Sequence, residues 1–500
     1  MSSMALLRVA ALVSALALVA VATFVPHLSN DFWLQARIGQ LILDTGNIPH
    51  TVLFPFTEVR DNRFNAHEWV PSIAFHLLER FLGEDYLVFV LGAFGLALFA
   101  LSVGLVWRVT HSLGASLLLA LGAIAVANYR HLLRPELFAL VLLLLLLHVF
   151  VSYQQSRRCR HLLWTVPIAV VWANSHGSFL LGPVLAMLFA AGEGLQCAVE
   201  APADRSWKER LLPSALAARP YVLTAIAMVV GSLCNPLGPA LFHFALTLST
   251  SDVTKAFINE WNATLAEPFV SSRRFVIFAL ALTGAAALAV WRRDRVRWSD
   301  LFVMTAFAAL ALQRQRFVVL FGFAALLPCA RAIGLRPAPA VERRLLMAAT
   351  SLSAVGLALA LQFGNAYSAY PYFASTNAFT EPMLARLQSP STRGNVINSY
   401  ELGGELIYRA WPRLKPSLDS RIDSYGDRYF LAMQELMIYE DRLRSFVDHY
   451  DVRYMLLLWR DFESIKPMGK LQADGWRMEF SDHKAVLLSR QPAAASAAVP

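Results

Sequence analysis

Between Val141 and Val151 the chain reads VLLLLLLHVFV, a run that a water-soluble protein does not carry. Similar stretches recur along most of the 500 residues and raise the hydrophobic share to 57% against 16% charged, at a mean hydropathy of +0.48. A helix needs about 20 apolar residues to cross a bilayer, and on that measure the chain reads as a polytopic α-helical membrane protein with about eleven spans. They are Ala5–Val25, Tyr86–Trp107, Ser116–Asn128, Pro135–Tyr153, Leu162–Ala173, Phe179–Cys197, Tyr221–Cys234, Phe275–Trp291, Leu301–Leu312, Phe317–Cys329 and Leu345–Phe363. Leu162–Ala173 and Leu301–Leu312 are short for a span. The apolar run of Ala5–Val25 exceeds that of a signal peptide, so it reads as an uncleaved first span.

The net charge is +9, but the basic residues stand beside apolar segments, as in Arg157, Arg158 and Arg160 or Arg292, Arg293, Arg295 and Arg297. Such clusters mark the cytoplasmic ends of spans and argue against nucleic-acid binding. A cytoplasmic N-terminus puts nearly all of them inside and leaves the long loops outside. The four cysteines, Cys159, Cys197, Cys234 and Cys329, show neither a disulfide framework nor zinc spacing.

Two regions depart from this pattern. The first loop, 27–85, carries two apparent amphipathic helices. One presents Leu34, Ile38, Leu41 and Ile42, and the other Val70, Ile73, Ala74, Leu77, Leu78 and Phe81. Neither can cross a membrane, and both read as helices lying in its surface. From Asn365 the composition becomes that of a soluble domain. Strands at Val396–Ile397, Pro416–Leu418, Tyr454–Trp459, Arg477–Phe480 and Ala485–Leu488 alternate with helical patterns, which predicts a small α/β domain. The division is then a transmembrane domain over 1–363, an outer α/β domain over 364–490 and a disordered tail over 491–500.

Arg130, Arg134, Arg314 and Arg316 fall at the outer ends of spans in short turns, where orientation gives no reason for cations. Charges at membrane depth face a partner or a cavity. Guanidiniums there suit a lipid phosphate, or else pair with Glu136 and Glu260. Asp31 opens the first surface helix, as a cap or as a general base at the membrane surface. Glu68, beside His67, is a second candidate acid. Asn174 and His176 sit in a tight outer turn, to line a cavity or cap two helices. His67, Glu68 and His176 have ligand chemistry, but their spacing does not support a divalent metal, and the cofactor stays unassigned. The polar segment Leu418 to Asp427 offers either an acceptor contact or internal Asp–Arg pairing.

The motifs Asn30-Asp31-Phe32-Trp33-Leu34 with Arg37 and Gly39, Gly46-Asn47-Ile48-Pro49, Phe54, Thr57, His67-Glu68-Trp69, Arg134-Pro135-Glu136 and Trp172 to Gly177 resemble those of the GT-C membrane glycosyltransferases. The resemblance is closest to the bacterial relatives of protein O-mannosyltransferases and aminoarabinose transferases. It implies a multi-pass enzyme of the bacterial inner (plasma) membrane, with its C-terminal domain periplasmic or extracellular. It further implies that a sugar passes from a polyprenyl-phosphate donor to an envelope glycan, lipid or protein by inverting displacement. Asp31 matches the family's catalytic acid, with Glu68 as a second acid because Phe32 and Trp33 stand where a paired carboxylate is common. Arg314 and Arg316, with Arg130 and Arg134, would hold the donor phosphate, and His67, Asn174, His176 and Glu136 would line the cavity. The alternatives are a polysaccharide or lipid transporter or assembly factor, and an envelope polysaccharide polymerase or ligase.

Overall fold

The computed structural model describes residues 2–24, 28–204, 206–250, 259–363, 379–465, 471–472 and 474–490. The expected tail, 491–500, and His27 of the first loop lie outside the described residues. The chain divides into two compact units. One comprises Met1–Pro26, Asp85–Leu246 and Lys255–Ala374, and the other His27–Glu84, Thr247–Thr254 and Ser375–Pro500.

The first unit is helical. Among the described residues nine helices are long and apolar enough to cross a membrane, from Ser3–Thr23 to Pro339–Gln362. Two shorter apolar helices, Cys159–Ala173 and Trp298–Gln313, fall on the two stretches that the sequence marks as short. The span expected from Tyr221 begins earlier, as one helix over Trp207–Ser232. Ser206 and Glu209 form a capping box at its start, and Pro213 and Pro220 lie within it. Lys208 and Arg210 therefore stand on the first turn of a long helix, not on a separate surface segment.

The second unit is mixed. Five strands, β1 (Gly394–Asn398), β2 (Leu414–Pro416), β3 (Val452–Leu458), β4 (Trp476–Ser481) and β5 (Ala485–Arg490), form one sheet in the order β2-β1-β3-β5-β4. β1 runs parallel to β2 and β3, while β5 runs antiparallel to β3 and β4. Each expected strand is present, with β2 ending two residues early. The expected helix over Phe462 to Ala473 is a shorter one, Trp459–Ser464, with 466–470 and 473 outside the described residues.

The first loop packs into this unit, so the boundary drawn at 363 does not follow the packing. The stripe of Asn30–Thr45 that reads as membrane-facing, Leu34, Ile38 and Ile42, joins one core with Ile397, Ile407, Leu418 and Met455. An apolar stripe records that a helix buries a face, not what covers it. In Trp69–Leu82 the buried side is Pro71, Ser72, Phe75 and His76. Gly39 makes room for this second helix, because a Cβ there would meet the Ser72 carbonyl oxygen at 2.0 Å.

Candidate active site

In the helical unit, the arginines singled out by their position converge. The helix Leu113–Ala127 runs into a 3-10 turn, Asn128–Arg130, and the helix Glu136–Ser156 opens six residues beyond Arg130. Arg130 grips Glu136 with two nitrogens, Nε at 2.9 Å and Nη2 at 2.5 Å. Its Nη1 reaches Glu260 at 2.5 Å. Arg134 and Arg316 approach the same Glu260 carboxylate at 3.4 and 4.0 Å. Arg316 also lies over the Trp261 ring, 4.2 Å from its centroid, and Arg314 donates to the Trp261 carbonyl at 3.0 Å. Glu136 is thus a buried counter-ion for Arg130.

Backbone ties bring the three segments together. The Tyr129 hydroxyl donates to the Gln315 carbonyl, the Gln315 N–H to Asn262 at 3.0 Å, and the Thr264 hydroxyl to Ala311. Burial opposes ionisation of Glu260, but the guanidiniums of Arg130, Arg316 and Arg134 outweigh it and hold the carboxyl well below the usual range. Among the described residues four guanidiniums and two carboxylates gather here. Glu260 is the member that sequence gives only as an alternative partner. In the sequence it is an acid followed by Trp261 in the long connection from Asn235 to Ser272.

In the mixed unit, Asp31 lies in the first turn of Asn30–Thr45, which Ser29 caps by accepting from the Phe32 N–H. An acid is favoured there by the helix dipole whatever else it does. Asn30 fixes this turn, since its Oδ1 accepts from the Gly404 N–H at 2.6 Å and its Nδ2 donates to the Tyr400 carbonyl at 3.3 Å. A Cβ on Gly404 would lie 2.3 Å from the Asn30 carbonyl oxygen, so only glycine permits the approach. Next to it, Trp33 packs on Tyr408 at 4.8 Å and under the Arg409 guanidinium at 4.3 Å. Segments some 370 residues apart thus meet around the candidate base, and no local pattern reveals this.

Glu68 accepts from Gln35 Nε2 at 2.7 Å, and Gln35 accepts in turn from the Ser72 hydroxyl. The His67 Nδ1 lies 2.9 Å from the Asn65 carbonyl, which only accepts, so Nδ1 carries the proton. Nε2 then faces Glu68 at 3.6 Å. Burial pushes the His67 imidazole down to about 4, and at neutral pH the contact is not an ion pair.

Asn174 and His176 take their capping roles. Asn174 donates to the carbonyls of Val170 and Cys234, both at 2.8 Å. His176 accepts from the Ser178 N–H at 3.1 Å. Among the described residues no three His, Cys, Asp or Glu side chains gather as a metal site would require. Within Leu418 to Asp427, Asp419 and Arg421 are buried and pair with each other. Arg421 donates to Asp419 and to the Val52 carbonyl, and lies against Phe54 and Phe64.

No protein-family model matches the sequence, and none of the curated proteins does. Solved structures do match. The archaeal oligosaccharyltransferase AglB of Archaeoglobus fulgidus, in complex with an inhibitory peptide and a dolichol-phosphate, aligns with a TM-score of 0.55 at 12% identity. The alignment covers 90% of this chain and 69% of that one. The same enzyme tethered to an acceptor peptide containing the NVT sequon gives a TM-score of 0.55 at 12% identity, covering 90% and 68%. In complex with zinc and sulfate it gives 0.51 at 14%, again covering 90% and 68%. At these identities the likeness is one of fold alone.

Proposed function

We propose that the chain is a membrane glycosyltransferase that moves a sugar or glycan from a polyprenyl-phosphate carrier to an acceptor at the outer face of a bacterial inner membrane. The observation that carries this reading is the convergence of four arginines, three of them around the Glu260 carboxylate. Cations in short turns at the ends of apolar helices suit a phosphate held at the membrane surface by its lipid tail. The structural neighbour solved with dolichol-phosphate and with an acceptor peptide supports the same substrate classes. On this reading the nine long and two short apolar helices among the described residues serve as eleven spans, with the N-terminus cytoplasmic and the C-terminal domain outside.

Asp31 takes the proton from the acceptor as its heteroatom attacks the anomeric carbon. The bond from that carbon to the phosphate oxygen breaks, and the phosphate leaves with the electron pair. Separately, within the helical unit, Arg314 and Arg316 hold a lipid phosphate and stabilise charge on it. Configuration inverts in this single displacement. Glu68, held by Gln35, supports the acceptor side. No step is routed through a metal.

The test is transfer from a labelled polyprenyl-phosphate sugar in reconstituted membranes. Asp31→Asn keeps shape and capping oxygen but cannot accept the proton, so turnover should fall about 100-fold or more. Near wild-type turnover from a folded variant would return Asp31 to the role of helix cap, and Glu68→Gln would then be measured.

A further inference from the structure

Glu260 is the one member of the arginine cluster whose place a ligand can take. Its contacts are unequal: Arg130 at 2.5 Å, Arg134 at 3.4 Å and Arg316 only at 4.0 Å. Its side chain is 25% exposed, the most of the five charged groups in direct ionic contact. It stands on a single 3-10 turn, Asn259–Trp261, in a connection and not on a spanning helix. If Glu260 withdrew, Arg130 would keep two hydrogen bonds to Glu136, so no buried guanidinium would be stranded. Arg316 would keep its place over the Trp261 ring if the carboxylate swung away while the turn stayed in place.

Resting on the phosphate reading above, we infer that Glu260 is a resident counter-ion that the donor's phosphate displaces. A carboxylate among three guanidiniums offers what a phosphate offers, two or more oxygens to forked donors. It offsets part of the cluster's positive charge while the site is empty. A phosphate brings more charge and a third oxygen to the same donors, and the released carboxylate turns to solvent at the exposed edge. Binding is therefore an exchange of anions, and the affinity of the site is set by the difference between them. A ligand with equal preference for both arrangements would shift nothing.

The experiment uses the full chain in detergent micelles, with farnesyl phosphate as the anionic probe and farnesol as the neutral control. Glu260→Gln removes the competing charge without changing size, and should tighten farnesyl phosphate about tenfold while leaving farnesol unchanged. Arg316→Ala should weaken the same binding. In the wild type, carbodiimide labelling of Glu260 should rise when farnesyl phosphate is added, a readout that does not depend on the variant folding. Unchanged or weaker binding by a folded Glu260→Gln, or labelling that does not rise, overturns the exchange. If Arg316→Ala still weakens binding in that case, the phosphate reading stands without it. No effect of Arg316→Ala, with no probe-dependent labelling, removes both.

Discussion

The helix Glu136–Ser156 has a charge cluster at each end, and the two are built in opposite senses. Its 21 residues separate them by roughly 30 Å, at about 1.5 Å per residue. At the far end Gln154 donates to Glu193 at 3.0 Å. Arg297 grips the same carboxylate with Nε at 2.9 Å and Nη2 at 2.8 Å, and Arg157 adds a contact at 3.2 Å. Asp300 pairs with Arg331. There the acids are the buried members, Glu193 at 2% exposure and Asp300 at 0%, while Arg157 is 52% exposed. At the near end the order reverses, with Arg130 at 8% and Glu260 at 25%.

A buried acid ringed by arginines that reach outward is a closed account of charge. Its cations carry their charge toward the more exposed side, and its acids are the members held inside. A buried cation whose most exposed partner is a carboxylate is open to exchange with another anion. The first arrangement ties helices together, and the second presents positive charge to a ligand. The comparison thus separates arginines that composition treats alike.

The largest effect should come from stranding a buried acid. Arg331→Ala leaves Asp300 without its ion-pair partner and should destabilise the fold by about 3–5 kcal/mol. Transfer per folded molecule should stay near wild type. Asp300→Asn in the same chain should recover most of the loss, since the uncompensated charge is what costs. A collapse of turnover in folded Arg331→Ala would place this end in the reaction and break the contrast.

The next effect inverts that pattern. Arg316→Ala should cost little stability but about 2–4 kcal/mol in transfer if it stabilises the leaving phosphate. Arg316→Lys should recover only part, because an ammonium cannot make the forked contact. Equal turnover for Arg, Lys and Ala at 314 and 316 would remove the phosphate site from this turn.

These arginines were legible in the sequence for a physical reason. Short turns between apolar segments fix where a charge sits along the membrane normal, so an arginine out of place for orientation needs another explanation. Their convergence was not legible, because Glu260 comes from a connection more than a hundred residues away from Arg130. The nine long apolar helices among the described residues followed from length and hydropathy, and two shorter ones fall on the stretches marked as short. The covering of the first loop did not, since Leu34, Ile38 and Ile42 bury the same stripe against Ile397 and Ile407 that a bilayer surface would bury. In Trp69–Leu82 the apolar stripe is not the face that the protein buries. The helix buries Ser72, Phe75 and His76, because Gln35 and Glu68 draw Ser72 inward by hydrogen bonds.

His67 shows a third way of burying a titratable group: it is left uncharged, where both clusters pair their charges. Although Glu68 lies 3.6 Å away, burial holds the imidazole near 4, below its ordinary value of about 6.5. Between those two values the unfolded chain binds a proton that the folded chain refuses. The contribution to stability is therefore fully present above pH 6.5 and is lost as pH falls toward 4. The slope is at most about 1.4 kcal/mol per pH unit for one proton. His67→Gln, which keeps a hydrogen-bond donor but does not titrate, should flatten that part of the profile. The informative quantity is the difference in unfolding free energy between wild type and His67→Gln at pH 7 and pH 5, since the other carboxylates titrate alike in both. A wild type that gains stability relative to the variant on acidification would mean that His67 is charged in the fold. The His67–Glu68 contact would then be an ion pair like those of the two clusters, and the third category would disappear.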